Sequence, residues 1–133
     1  MTVPAEKPFI TLVGSDANNT IITWNDSAKS TAGTDFTATV TVLAADFIAR
    51  QITIQNTYGP GITITRDTGD QAVALMISAD RCAFYDCRFL GYQDTVLDDS
   101  GRHYFRNCYI EGAVDFVAGN GKSIYQVTCK VES

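Results

Sequence analysis

Apolar and polar residues alternate along most of this chain in short runs, and β-branched residues are prominent in them: PFITLVG (8–14), TIITW (20–24), FTATVTVL (36–43), ARQITIQN (49–56) and SIYQVTCKV (123–131). A period of two in segments this short predicts strands, each with one face turned to a core. No segment sustains a helical face of ten or more residues, and glycine is scattered throughout, which argues against strands joined by crossover helices.

The alternation is itself repeated. Cys87, Cys108 and Cys129 are spaced 21 residues apart, and their surroundings repeat with them as FYDCRFLG (84–91), FRNCYIEG (105–112) and QVTCKVES (126–133). Each copy places an apolar residue two positions after the cysteine (Phe89, Ile110, Val131) and a small residue two further on (Gly91, Gly112, Ser133). ARQITIQN fits as an earlier copy, with Ile52 at the cysteine position and Ile54 at that of Phe89; the 35-residue offset assigns the extra length to a loop, NTYGPGITITRDTGD (56–70). A fixed period near 20 residues built from strands predicts a solenoid, here a parallel β-helix. Leucine-rich repeats have a similar period but need leucine at fixed places, where this chain has Cys, Ile, Phe and Val. Like residues stack on like in such a coil, so the cysteines read as a buried column of small apolar side chains, with disulfide pairing as the other reading.

Composition narrows the functional classes. The 133 residues amount to one domain, and 45% of them are apolar, enough to build a core. The apolar runs are far shorter than the roughly 20 residues of a membrane span, and MTVPAEKP lacks the basic flank and apolar stretch of a signal peptide. Ten basic against 15 acidic residues, a net charge of −5 and no basic cluster argue against a nucleic-acid ligand. The absence of any CxxC and the presence of a single histidine, His103, argue against a zinc site.

Applied to polar residues, the same period picks out a second column. Asp94 plus 21 is Asp115, and Gln93 minus 22 is Gln71 if one residue is inserted between those two rungs. Neighbouring parallel strands lie about 4.8 Å apart, so Gln71, Gln93, Asp94 and Asp115 fall along one side of the coil. On spacing alone two readings stand: a ladder of glutamines and turn aspartates that decorates a solenoid, or a site in which two adjacent carboxylates share a proton.

The segments QAVAL (71–75), GYQDT (91–95) and GAVDFVAGNG (112–121), in this order and spacing, resemble the pectin methylesterases, and FITLVG, FTATVTVLAADFIARQITIQNTYGPG and DDSGRHYFRNCYIEG are most similar to the plant enzymes. The resemblance covers nearly the whole chain. It implies an all-β fold: a right-handed, single-stranded parallel β-helix of the pectin-lyase-like kind. It implies an aspartyl carboxylic-ester hydrolase, secreted to the cell wall, that de-esterifies methylated homogalacturonan to pectate and methanol without metal or cofactor. Carried over residue by residue, Asp115 matches the nucleophile and Asp94 the general acid and base. Gln93 matches the donor to the oxyanion, Gln71 a glutamine that assists it or contacts substrate, and Thr34 a threonine that touches the polysaccharide. The expected partners are methyl-esterified pectin and a proteinaceous pectinesterase inhibitor.

Departures from the family pattern are expected to matter. An LGRPW-like segment, whose arginine keeps the nucleophile ionised, belongs beyond the rung of Asp115, and the chain ends at Ser133 before it. Residues 1–133 therefore read as an internal part of a catalytic β-helix, truncated at both ends. Met76 stands where the family has Arg, and Ala118 where it has a bulky Phe. The alternative function is a catalytically silent solenoid that binds polysaccharide or offers an interaction surface. Asn18 and Asn25 head glycosylation sequons. His103 reads as a rung residue or surface imidazole, and Trp24, Tyr58, Tyr92 and Tyr104 divide between packing and sugar stacking.

Overall fold

The computed structural model of the chain describes residues 1–25, 37–58, 72–112, 117–126 and, as backbone, 130–132. Among these, 15 short strands form three parallel sheets of five. The first sheet holds β1 (Thr2–Val3), β4 (Val40–Val42), β7 (Leu75–Ser78), β10 (Val96–Ser100) and β13 (Val117–Ala118). The second holds β2 (Thr11–Val13), β5 (Ile48–Arg50), β8 (Cys82–Tyr85), β11 (Arg102–Arg106) and β14 (Lys122–Tyr125). The third holds β3 (Ile21–Trp24), β6 (Thr53–Asn56), β9 (Arg88–Leu90), β12 (Tyr109–Glu111) and β15 (Lys130–Glu132). Each strand pairs with the strand three elements away, so the chain visits the three faces in turn and stacks each circuit on the last: a parallel β-helix.

The register is the one the cysteine period demands. Ile22, Ile54, Phe89, Ile110 and Val131 lie opposite one another along the third sheet, so the two 21-residue steps and the 35-residue step both end on equivalent positions. Cys87 and Cys108 are buried at the start of this face, while Cys129 lies outside the described residues. Burial pushes the Cys87 thiol up to about 11, so it behaves as a small apolar side chain rather than a nucleophile.

ARQITIQN, a single alternating run in the sequence, divides between two sheets as β5 and β6. The corner is Gln51, whose φ of 56° reverses the alternation in one residue. Asp86 (φ 56°) and Asn107 (φ 52°) turn the same corner on later circuits, and Asp and Asn adopt this left-handed conformation more readily than most residues. Gly101, with φ 99°, turns another corner where any Cβ would come within 2.1 Å of the Ala79 carbonyl oxygen, so only glycine fits.

Inside the coil, Phe84 stacks on Phe105 at 4.9 Å between ring centres and Phe105 on Tyr125 at 4.6 Å, while Phe89 meets Phe84 and Phe105 edge-on. Val40, Val42, Leu75, Ile77, Val96, Ile54 and Ile110 complete a core that water does not reach.

Candidate functional site

The GYQDT segment runs from the end of β9 into β10 and is held on both sides by neighbouring circuits. Gly91 N–H donates to the Glu111 carbonyl at 3.2 Å, Thr95 Oγ1 donates to the same oxygen at 2.8 Å, and Ala72 N–H donates to the Gln93 carbonyl at 3.0 Å. A side chain at Gly91 would meet Thr95 Oγ1 at 2.8 Å, which accounts for glycine at the start of the segment. The amides of Ala74 and Leu75 both donate to the Thr95 carbonyl, at 2.9 and 3.1 Å. One extra residue is accommodated at that point, so the offset between the circuits is one residue larger before it than the 21 positions separating Leu75 from Val96.

Between these anchors Asp94 takes φ 55°, a left-handed residue two positions before β10 begins at Val96, and is half-buried. Gln93 is only 7% exposed, and among the described residues its Oε1 has no hydrogen-bond partner; the buried Tyr92 hydroxyl beside it is likewise unpartnered. Leaving a buried polar atom unpaired costs about 1–3 kcal/mol, so native proteins do it rarely.

Beyond the segment, the outward row of the first sheet is apolar where it passes the turn. Met76, Leu97 and Ala118 lie opposite one another there, all half-buried. The two departures from the family pattern, Met76 and Ala118, thus flank Leu97 on one surface. Gln71, Asp115 and Thr34 lie outside the described residues, so Gln93 and Asp94 are the members of the expected column whose surroundings are described. Val96 lies opposite Val117, which carries the 21-residue offset of Asp94 and Asp115 through the strands that follow them.

A polar cluster not expected from sequence lies inside the coil, four residues beyond Asp94. Asp98 takes the inward position occupied by Val3, Val42 and Ile77 on earlier circuits. His103 and Ser123 take the inward position next to Cys82. His103 Nδ1 lies 2.5 Å from Asp98 Oδ1, and its Nε2 lies 2.7 Å from the Ala79 carbonyl oxygen. Ser123 Oγ and the Tyr125 hydroxyl both donate to Asp98 Oδ2, the latter at 2.9 Å.

Both imidazole nitrogens face acceptors, so the ring is satisfied only as a cation that donates from each. Burial opposes that charge, but the Asp98 carboxylate and the Ala79 carbonyl outweigh it and raise the His103 pKa. Burial likewise works against the Asp98 charge, and the bonds from His103, Ser123 and Tyr125 overcome it and lower the Asp98 pKa. His103 is therefore a buried rung residue rather than a surface imidazole, with a side chain that has no exposure. The sequence signal was an aspartate on an inward parity, legible only once the register is known.

Among the aromatic candidates, Trp24 is exposed and Tyr104 packs edge-on against Tyr85 with ring centres 5.9 Å apart. The sequon residue Asn18 accepts a hydrogen bond from Arg88 at 2.9 Å.

Comparison with known proteins bears on this geometry. A putative pectinesterase 11 of Arabidopsis thaliana is 48% identical over 95% of this chain, which spans 32% of that relative. The solved pectin methylesterase from carrot superposes with a TM-score of 0.89 at 39% identity, covering 98% of this chain and 38% of the carrot enzyme. A pectin methylesterase variant solved in complex with a hexasaccharide gives a TM-score of 0.86 at 32% identity, over 98% of this chain and 42% of its own. The chain thus spans about a third of the length of the curated relatives. With the pectinesterase family model matched from residue 1 to residue 133, and with a fold shared with solved members, the chain belongs to the pectinesterase family.

Proposed function

We propose that this chain forms the catalytic part of a carboxylic-ester hydrolase that removes methyl groups from methyl-esterified homogalacturonan. The observation that carries this reading is the clamped Gln93–Asp94 turn, with its left-handed aspartate and buried glutamine, followed by the apolar row Met76, Leu97 and Ala118. An apolar floor suits a neutral methyl ester. The hexasaccharide complex of a relative supports an oligosaccharide as ligand.

In this reading an Asp115 carboxylate oxygen attacks the ester carbonyl carbon, and the Gln93 amide, aided by Gln71, donates to the oxygen that gains charge. The bond to the methoxyl group breaks and methanol leaves with the proton of Asp94. Asp94, now ionised, takes a proton from water as that water attacks the acyl-enzyme, which releases the free uronate and restores both aspartates. Thr34 contacts the polysaccharide. Secretion to the cell wall and inhibition by a protein partner belong to the same proposal.

The test is methanol release from methyl-esterified pectin. Asp94→Asn and Asp115→Asn should each abolish measurable release, and Gln93→Ala should lower kcat by about 100- to 1000-fold, the range for loss of an oxyanion donor. A wild-type chain that binds methylated oligomers but releases no methanol would establish the silent-solenoid alternative instead.

A further inference from the structure

Away from the Gln93–Asp94 turn, the outward surface of the second sheet carries an arrangement that the esterase reaction does not use. Arg50, Tyr85 and Arg106 lie opposite one another on β5, β8 and β11, so two arginines neighbour one tyrosine across three successive circuits. The Arg50 guanidinium carbon sits 4.2 Å from the centre of the Tyr85 ring, and Tyr104 meets that ring edge-on. Arg50, Tyr85 and Arg106, with Asp86 and Asn107 from the left-handed corners, line a cavity of about 350 Å³. Arg50 and Arg106 are exposed.

The contrast with other arginines is informative. Arg81 pairs with Asp46 and Asp80, Arg102 pairs with Asp80, and Arg88 donates to Asn18. Among the described residues, Arg50 and Arg106 pair with no carboxylate. In a chain of net charge −5, two uncommitted guanidinium groups in one concave surface are a local exception to the acidic balance. Asp86, the carboxylate in the cavity, already accepts from Asn107 Nδ2 at 2.5 Å and keeps further acceptor positions. The lining therefore offers planar donors suited to carboxylates, an aromatic wall and an acceptor for hydroxyl groups.

We propose that this cavity is a binding site for de-esterified uronate segments of a polysaccharide, separate from the Gln93–Asp94 site. Each guanidinium takes a free carboxylate, Asp86 takes a sugar hydroxyl, and a methyl ester, having no charge, is refused. The choice of a uronate among acidic sugars rests on the proposed esterase activity. The site would hold the chain on polymer it has already processed, close to the esters that remain.

Titration calorimetry with a galacturonate hexamer, as free acid and as full methyl ester, tests this. Wild-type protein should bind the free acid at least tenfold more tightly than the ester, and the affinity should fall with added salt. Arg50→Gln/Arg106→Gln should lose at least tenfold of that affinity with an unchanged melting temperature and unchanged methanol release from short substrates. Asp94→Asn should bind the free acid like the wild type. Affinity in the double arginine variant within twofold of wild type, loss of binding in Asp94→Asn, or equal affinity for dextran sulfate would overturn the proposal. Arginine-dependent binding by a wild-type chain that releases no methanol would sink the esterase reading and leave this site standing.

Discussion

Two parts of the same interior are built on opposite principles. Around Phe84, Phe89 and Phe105 the coil is filled by stacked rings and aliphatic residues, held by burial and contact. A few ångströms along the same strands, at the corner between the first and second sheets, the inward positions carry Asp98, His103 and Ser123 and are held by charge and hydrogen bonds. The apolar region tolerates approximate fit, since many weak contacts share the load. The polar corner tolerates none: Gly121 is packed so that a Cβ would fall 1.9 Å from Asp98 Oδ1, and at Gly119, with φ 112°, it would fall 2.1 Å from the Asp98 carbonyl oxygen. That corner joins β10, which follows Asp94, to the segment after β13, which follows Asp115. Alignment of the candidate site along the coil therefore depends on the region of the core that is least forgiving.

The largest effect should come from the apolar side. Phe105→Ala opens a hole between Phe84 and Tyr125, and chemical denaturation should show a loss of about 3–5 kcal/mol. A loss under about 1 kcal/mol would mean that the stack contributes little beyond filling space.

His103→Ala leaves the Asp98 charge buried without its cation, although Ser123 and Tyr125 still donate to it. A loss of about 3 kcal/mol is expected at neutral pH. Asp98→Leu/His103→Leu removes both charges together, and its stability should lie within about 2 kcal/mol of the wild type or above it. If the double variant is instead as unstable as His103→Ala, the corner is set by shape and the contrast between the two regions fails.

A pH series sharpens the same point. The folded pKa of His103 is raised, so its contribution is complete below the unfolded value of about 6.5 and is lost as pH rises through the folded value. The folded pKa of Asp98 is lowered, so its contribution is complete above about 3.9 and is lost as pH falls through the folded value. The part of the melting temperature owed to this pair should therefore be highest between about pH 4 and 6.5, and it should be missing from the double leucine variant. Equal slopes on the alkaline side in both proteins would assign that loss to other groups.

The smallest effect belongs to the cysteine column. Cys108→Ala removes one buried sulfur and should cost about 1 kcal/mol. In the native wild type, Cys87 and Cys108 should resist thiol reagents and react only after denaturation, as followed by mass spectrometry. Rapid labelling of both would show that this face opens in the native state.

The sequence by itself determined the repeat, and through it the fold. A 21-residue spacing of Cys, of Phe89, Ile110 and Val131, and of small residues after them admits one stacking register, because shifting any strand by one residue would turn its apolar side outward. It also marked the Gln93–Asp94 turn, through the QDT motif. The corners were decided by tertiary structure. Gln51 divides ARQITIQN between two sheets, and the sequence carries only a faint trace of this, the adjacent polar Arg50 and Gln51, because a single left-handed residue makes the turn. The buried ion pair was likewise invisible in DDSGRHYF. Charged residues in alternation read as an exposed face, and only when β10 and β11 meet at a corner do Asp98 and His103 turn toward each other and away from water. Arg50 and Arg106 lie 56 residues apart in the chain and two circuits apart in the coil, a nearness that arises because stacking converts distant sequence into adjacent strands.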